Sequence, residues 1–152
     1  MRAGLLTWMA AIWLCGANAM GADGLITIPS AFEPKETIDR LEADVKARGM
    51  TVFARIDHAA GAAQAGLSLR PTELLIFGNA KGGTPLMQLR QSMGIDLPLK
   101  ALAWKDVDGK TWLSYNDPSW LAQRHGLGAQ STAATDAMAA LLSALAAKAT
   151  RP

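Results

Sequence analysis

Few side chains in this 152-residue chain can do chemistry: it holds two histidines and one cysteine. The most suggestive spacing is Gly78-Asn79-Ala80-Lys81-Gly82-Gly83-Thr84-Pro85. It follows the apolar run Leu74 to Phe77 and precedes Leu86-Met87, so it reads as a strand, a glycine-rich loop and a helix start. Thr84 would be the N-cap and Pro85 the first helical residue. Unpaired N–H groups at such a start, beside a lysine, form an anion site. Asn79, Lys81, Gly82, Gly83 and Thr84 are therefore candidate ligand-binding residues. A nucleotide P-loop is excluded, because its lysine follows the glycines and directly precedes Ser or Thr. The competing account is a tight turn with Lys81 in solvent.

His58 ends an alternating stretch, in phase with Val52, Ala54 and Ile56. Imidazole titrates near neutrality, so His58 is the candidate catalytic acid–base residue, with Asp57 on the opposite face and unable to orient it. His125 falls in the last turn of a helix, where its charged form complements the dipole. No His-x-x-x-His spacing occurs, so no metal site is expected. Met20, Met50, Met87, Met93 and Met138 would suit Cu(I), but Met87 and Met93 fall where a helix needs core residues. Ser68, Ser92 and Ser114 lack the strained elbow of a Gly-x-Ser-x-Gly nucleophile, so no triad is expected. Weaker ligand candidates are Tyr115 and Asn116. Trp112 and Asn116 share one strand face and Tyr115 the other, and either set could line a cleft beside Lys105.

The elements that would hold these residues are legible in order. Leu25 to Ile28 reads as a strand closed by Pro29. A helix opens at Glu33-Pro34, carries Ile38, Leu41 and Val45 on one face, and ends at Gly49. Thr51 to His58 is a strand, followed by one or two helical turns over Ala59 to Gly66. Leu74 to Phe77 is apolar on both faces, which predicts a strand covered on each side. Leu86, Leu89, Arg90 and Met93 continue one helix to Gly94. Leu99 to Val107 and Thr111 to Asn116 form a hairpin about Asp108-Gly109. Asp117-Pro118 caps a helix through Arg124 that stops at Gly126. From Ser131 the chain is alanine-rich, with Met138, Leu141, Leu142 and Leu145 at helical spacing. Its low complexity and Gly128 make residues 128–152 a tail separable from a single domain over 24–127.

Arg2, the apolar run Leu5 to Leu14 and the small-residue site Ala17-Asn18-Ala19 read as a secretory signal over residues 1–19. Ten apolar residues are too few to span a bilayer, so no stable membrane anchor is expected after cleavage. Cys15 would leave with the signal, and Leu14 before it is the wrong size for lipoprotein processing. A periplasmic or secreted location follows. Half the residues are apolar, enough for a core, and the net charge of +2 without a basic tract argues against nucleic acid as a partner.

Phe53-Ala54-Arg55-Ile56-Asp57-His58, the stretch Arg70 to Met87, Leu97-Pro98-Leu99-Lys100 and Trp112 to Pro118 together resemble the bacterial domain-of-unknown-function family 302. The resemblance runs from about Leu25 to Leu127. It departs at Ala80, where the family commonly shows proline. It implies an α+β fold, a two-layer α/β sandwich of β-α-β(4)-α order similar to TATA-binding-protein-like relatives, with a mixed or antiparallel sheet and helices on one face. It implies neither DNA binding nor any functional residue.

The residues thus suggest a secreted domain without a cofactor that binds a small anionic ligand or a partner protein near Lys81. One alternative is a small acid–base enzyme using His58 with Lys81 as anion clamp. The other is a structural module, a homo-oligomer in which the alanine-rich helix packs against a partner.

Overall fold

The structure, a computed structural model, describes residues 24–152. The expected signal segment, with Cys15, and also Met20 lie outside the described residues. The chain runs β1 (Leu25–Pro29), α1 (Pro34–Ala47), β2 (Thr51–Asp57), α2 (His58–Gln64), β3 (Thr72–Gly78), α3 (Ala80–Leu89), β4 (Leu99–Lys105), β5 (Thr111–Asn116), α4 (Pro118–Arg124) and α5 (Thr132–Thr150). A 3₁₀ turn, Gln91–Ile95, lies between α3 and β4. The strands form one sheet in the order β1-β5-β4-β3-β2, and each neighbouring pair is antiparallel. This is the expected α+β sandwich, and α5 is the last helix of the β-α-β(4)-α order.

Local chemistry explains several boundaries. Pro34 opens α1, where its missing N–H has no partner to lose. Gly49 ends that helix at φ +70°, a left-handed position that favours glycine. Asp117 caps α4 by accepting from Ser119 N at 2.8 Å. The turn after β4 holds Gly109 at φ +78°.

One face of the sheet carries the helices. Leu75, Phe77, Ala101, Ala103, Leu113 and Tyr115 point into it and are buried with Ile38, Leu41 and Val45 of α1. The alternate residues of β3, Leu74 and Ile76, are only half-buried on the other face. The expectation of cover on both sides of β3 is therefore corrected. Its neighbours β2 and β4 flank it edge to edge, but the helices cover one face only.

The alanine-rich segment is not a tail. Met138, Leu142, Leu145, Ala146 and Ala149 are buried in the same core, and α5 lies along α1. Its end is fastened as well: Ala31 N donates to Thr150 O at 2.9 Å, Arg40 Nη2 to Arg151 O at 2.7 Å, and Lys148 Nζ to Asp44 Oδ1 at 2.5 Å. The boundary at 127/128 divides elements that share one packed core.

Candidate functional site

A cavity of about 620 Å³ opens at the end of the sheet where β3 leaves and β4 enters. Its wall is made by α3, the approach to β4 and the first half of α5, and its surface is mainly Met50, Phe53, Met87, Leu97, Met138 and Leu141. Among the described residues Lys81 is the one charged residue in that wall. Phe53 reaches the cavity through an irregularity in β2. The register shifts between Val52 and Ala54, which breaks the expected alternation. Val52 and Arg55 then oppose Phe77 and Leu75 on the helix side, while Ala54 and Ile56 oppose Ile76 and Leu74 on the open side. Arg55 confirms the side by bonding Glu73 at 2.5 Å and the α1 residues Asp39 and Glu42 at 2.7 and 3.0 Å. These carboxylates, Glu73 foremost, hold its guanidinium charged despite its burial.

The glycine stretch differs from its sequence reading. The helix begins at Ala80, capped by Asn79, whose Oδ1 accepts from Lys81 N at 2.7 Å. Gly82 N and Gly83 N both donate to Asn79 O at 3.0 Å. Thr84 and Pro85 are helix interior, not cap and first residue. An asparagine three residues before the Gly82-Gly83 pair outcompetes the later Thr-Pro signal, because it is the first capping side chain after β3. The N–H groups of Lys81, Gly82 and Gly83 are thereby paired at the helix start and not open to an anion. What remains for an anion is the Lys81 ammonium, on an exposed residue that forms no ion pair among the described residues. The helix also stops earlier than expected. Arg90 is extended at φ −149°, so Met93 is buried from the separate 3₁₀ turn.

His58 is not the last residue of a strand but the first of α2, exposed, with Asp57 capping that helix by accepting from Ala60 N at 2.8 Å. It stands at the wrong end of the sheet for Lys81. Asp57 pairs with Glu73, whereas Thr51 pairs with Gly78, just before the Lys81 helix. Six residues of strand at roughly 3.3 Å each separate the two ends by about 20 Å. A joint His58–Lys81 catalytic site is therefore ruled out, since acid–base groups must both reach the reacting proton. Lys105 lies at the His58 end too, bonded to Glu33 Oε2 at 2.5 Å. Tyr115 and Asn116 part company as the strand period requires. Tyr115 is in the core, where burial first and the Asp117 charge second raise its hydroxyl pKa. Asn116 lies on the open face, in a separate depression with Leu74, Leu102 and Trp104.

One cluster escaped the sequence reading. Ser92 Oγ lies 2.9 Å from His125 Nδ1, and His125 Nε2 lies 2.6 Å from Asp96 Oδ2. Arg124 Nη1 reaches the other oxygen of Asp96 at 3.0 Å. The 3₁₀ turn presents Ser92, Asp96 follows it, and the end of α4 supplies His125. These residues are 33 and 29 positions apart in the chain, so no local motif announces them. The weak signal was Ser92 and Asp96, four apart beside a helix-breaking Gly94.

The solved structure titled "Crystal structure of uncharacterized conserved protein DUF302 from Bacillus stearothermophilus" is similar over 84% of this chain and 99% of its own, with a TM-score of 0.74 at 20% identity. That likeness supports the fold. Among curated proteins, the "Fluoride-specific ion channel FluC 1" of Brucella suis biovar 1 (strain 1330) is 56% identical over 115 residues, 76% of this chain but 45% of that protein. The "Fluoride-specific ion channel FluC 2" of Brucella melitensis biotype 1 is 56% identical over the same length, 43% of its own chain. This chain thus spans less than half of these relatives. Among the described residues no helix is long and apolar enough to cross a membrane. The sequence model for "Domain of unknown function DUF302" matches residues 26–146, from β1 well into α5, and the chain belongs to that family.

Proposed function

We propose that this protein binds a small, largely apolar molecule bearing one anionic group, in the periplasm or outside the cell. The observation that carries this reading is the cavity: about 620 Å³, within the roughly 300–1,000 Å³ range of small-molecule sites. Three methionines in its wall, Met50, Met87 and Met138, are unbranched and adapt to irregular apolar shapes. Lys81 at its edge is a point charge for the anion, with Asn79 and Thr84 beside it in the wall. The fluoride transport in the names of the Brucella proteins forms no part of this reading.

The test uses 1-anilinonaphthalene-8-sulfonate, an apolar body with one sulfonate, followed by its fluorescence. Saturable binding at one site is expected. Lys81→Ala should weaken it about 10-fold, the worth of one charge-assisted contact, and should leave binding of neutral dodecanol unchanged. Ala137→Trp, which fills the cavity from α5, should abolish both. If Ala137→Trp leaves both untouched, the cavity is not the site, and if Lys81→Ala does, the anion is held elsewhere.

A further inference from the structure

The geometry points to Ser92 as a nucleophile for acyl transfer, with His125 as its base and Asp96 as the group that orients that base. A carboxylate only accepts hydrogen bonds, so the 2.6 Å contact to Asp96 Oδ2 places the imidazole proton on Nε2. Nδ1 then carries the lone pair, and Ser92 Oγ, 2.9 Å away, donates to it. This is the protonation pattern an activated serine requires. The two ring nitrogens exchange their usual partners, but the chemistry needs only one as base and the other oriented.

Burial is graded in the same sense. The side chains of His125 and Asp96 are 7% and 10% exposed, whereas Ser92 is exposed. Arg124 holds the far oxygen of Asp96 and fixes the carboxylate plane. Other serine hydroxyls are bonded within the fold: Ser30 to Thr37, Ser114 to Thr27 while accepting from Trp104 Nε1, and Ser131 to Gly128 O. Ser92 differs in having an imidazole as its partner and solvent before it.

The substrate class is an activated carboxylic ester. Ser92 Oγ attacks the carbonyl carbon and its proton passes to Nδ1. The ester C–O bond breaks, and the departing alcohol takes the proton from Nδ1. Water, deprotonated by the same nitrogen, then cleaves the acyl–Ser92 ester and restores the hydroxyl.

The test is labelling of the purified protein with a fluorophosphonate, in which Oγ displaces fluoride and forms a P–O bond. One adduct per chain is expected, mapped by peptide mass spectrometry to Ser92 and absent in Ser92→Ala. His125→Gln should slow labelling at least 100-fold, the low end for loss of a general base. No adduct beyond that of heat-unfolded protein, an adduct elsewhere, or equal rates in His125→Gln would each overturn the assignment. Should the variants fail to fold, the adduct map of the wild-type protein alone decides.

Discussion

Leu145→Ala puts the place of α5 in the fold to a quantitative test. Leu145 is 1% exposed and sits in one cluster with α1 and the sheet. Truncating such a leucine costs about 2–5 kcal/mol, because the transfer term and the cavity term add. For a domain of this size each kcal/mol lowers the thermal midpoint by roughly 4 °C, so a fall of roughly 8–20 °C is expected. Ser143→Ala, exposed on the same helix, should stay within about 0.5 kcal/mol of wild type. Removing residues 128–152 takes the argument to its limit. Met138, Leu142 and Leu145 leave the core together, forfeiting roughly 5–9 kcal/mol at about 1.5–3 kcal/mol per large side chain. Whole-domain stability is only about 5–15 kcal/mol, so the shortened chain should not melt cooperatively. Differential scanning calorimetry reads both variants. A Leu145→Ala midpoint within about 2 °C of wild type, or a sharp transition in the 24–127 chain, would refute the reasoning.

The two helical glycines of α3 should respond unequally. A methyl at Gly82 meets nothing within 4 Å, whereas one at Gly83 comes within 3.3 Å of Leu97 Cδ1; Gly82→Ala should therefore stabilise by about 1 kcal/mol in urea unfolding, Gly83→Ala should gain less or lose, and the reverse order would be contrary to this account. Acid should act through Asp44, whose carboxyl is held below its usual range by the Lys148 hydrogen bond first, with Arg48 adding to it against the cost of burial. The unfolded chain then binds more protons than the folded one, so this stabilisation is complete above about pH 4 and lost as pH falls through the lowered native value. Lys148→Met should move the acid-unfolding midpoint to higher pH by circular dichroism, and an unmoved midpoint would remove Asp44 from the explanation.

How far the sequence could be read depended on whether the deciding contacts were local. The face of α1 was legible because Ile38, Leu41 and Val45 obey one period, and all three are at most 1% exposed. The β4–β5 hairpin and the Asp117 cap were legible for the same reason, each being settled within a few residues. The α3 start went wrong because two local signals competed. Asn79 and Thr84-Pro85 are both adequate caps, and the choice between them was made by where β3 ends. The bulge at Phe53 was invisible, since alternation is a property of one strand and a bulge is a property of two. α5 was misjudged because alanine gives little periodic contrast, although Ala146 and Ala149 are buried as deeply as Leu142. The Ser92, Asp96 and His125 cluster needed the whole fold, because three elements meet there.

The position of both candidate sites follows from one economy in the topology. β4 and β5 are adjacent and antiparallel, and the five residues between Lys105 and Thr111 join them. β3 and β4 are just as adjacent and antiparallel, yet the chain spends residues 79–98 between Gly78 and Leu99. Closing the sheet needs only a short turn there, so this excursion serves something other than strand pairing. It supplies α3 with Lys81 and Met87, then Ser92, Gly94, Asp96 and Leu97. Gly94 and Leu97 line the cavity, while Ser92 and Asp96 bond His125. α4 and α5 come over the same end of the sheet and complete both sites with His125 and Met138. Connections that are longer than their geometry requires, set on a rigid scaffold, are where proteins place binding and chemistry. The two proposed sites both lie at the end of the sheet between β3 and β4. Residues 90–98 thus carry hydrogen bonds to α4 on one side and cavity wall on the other.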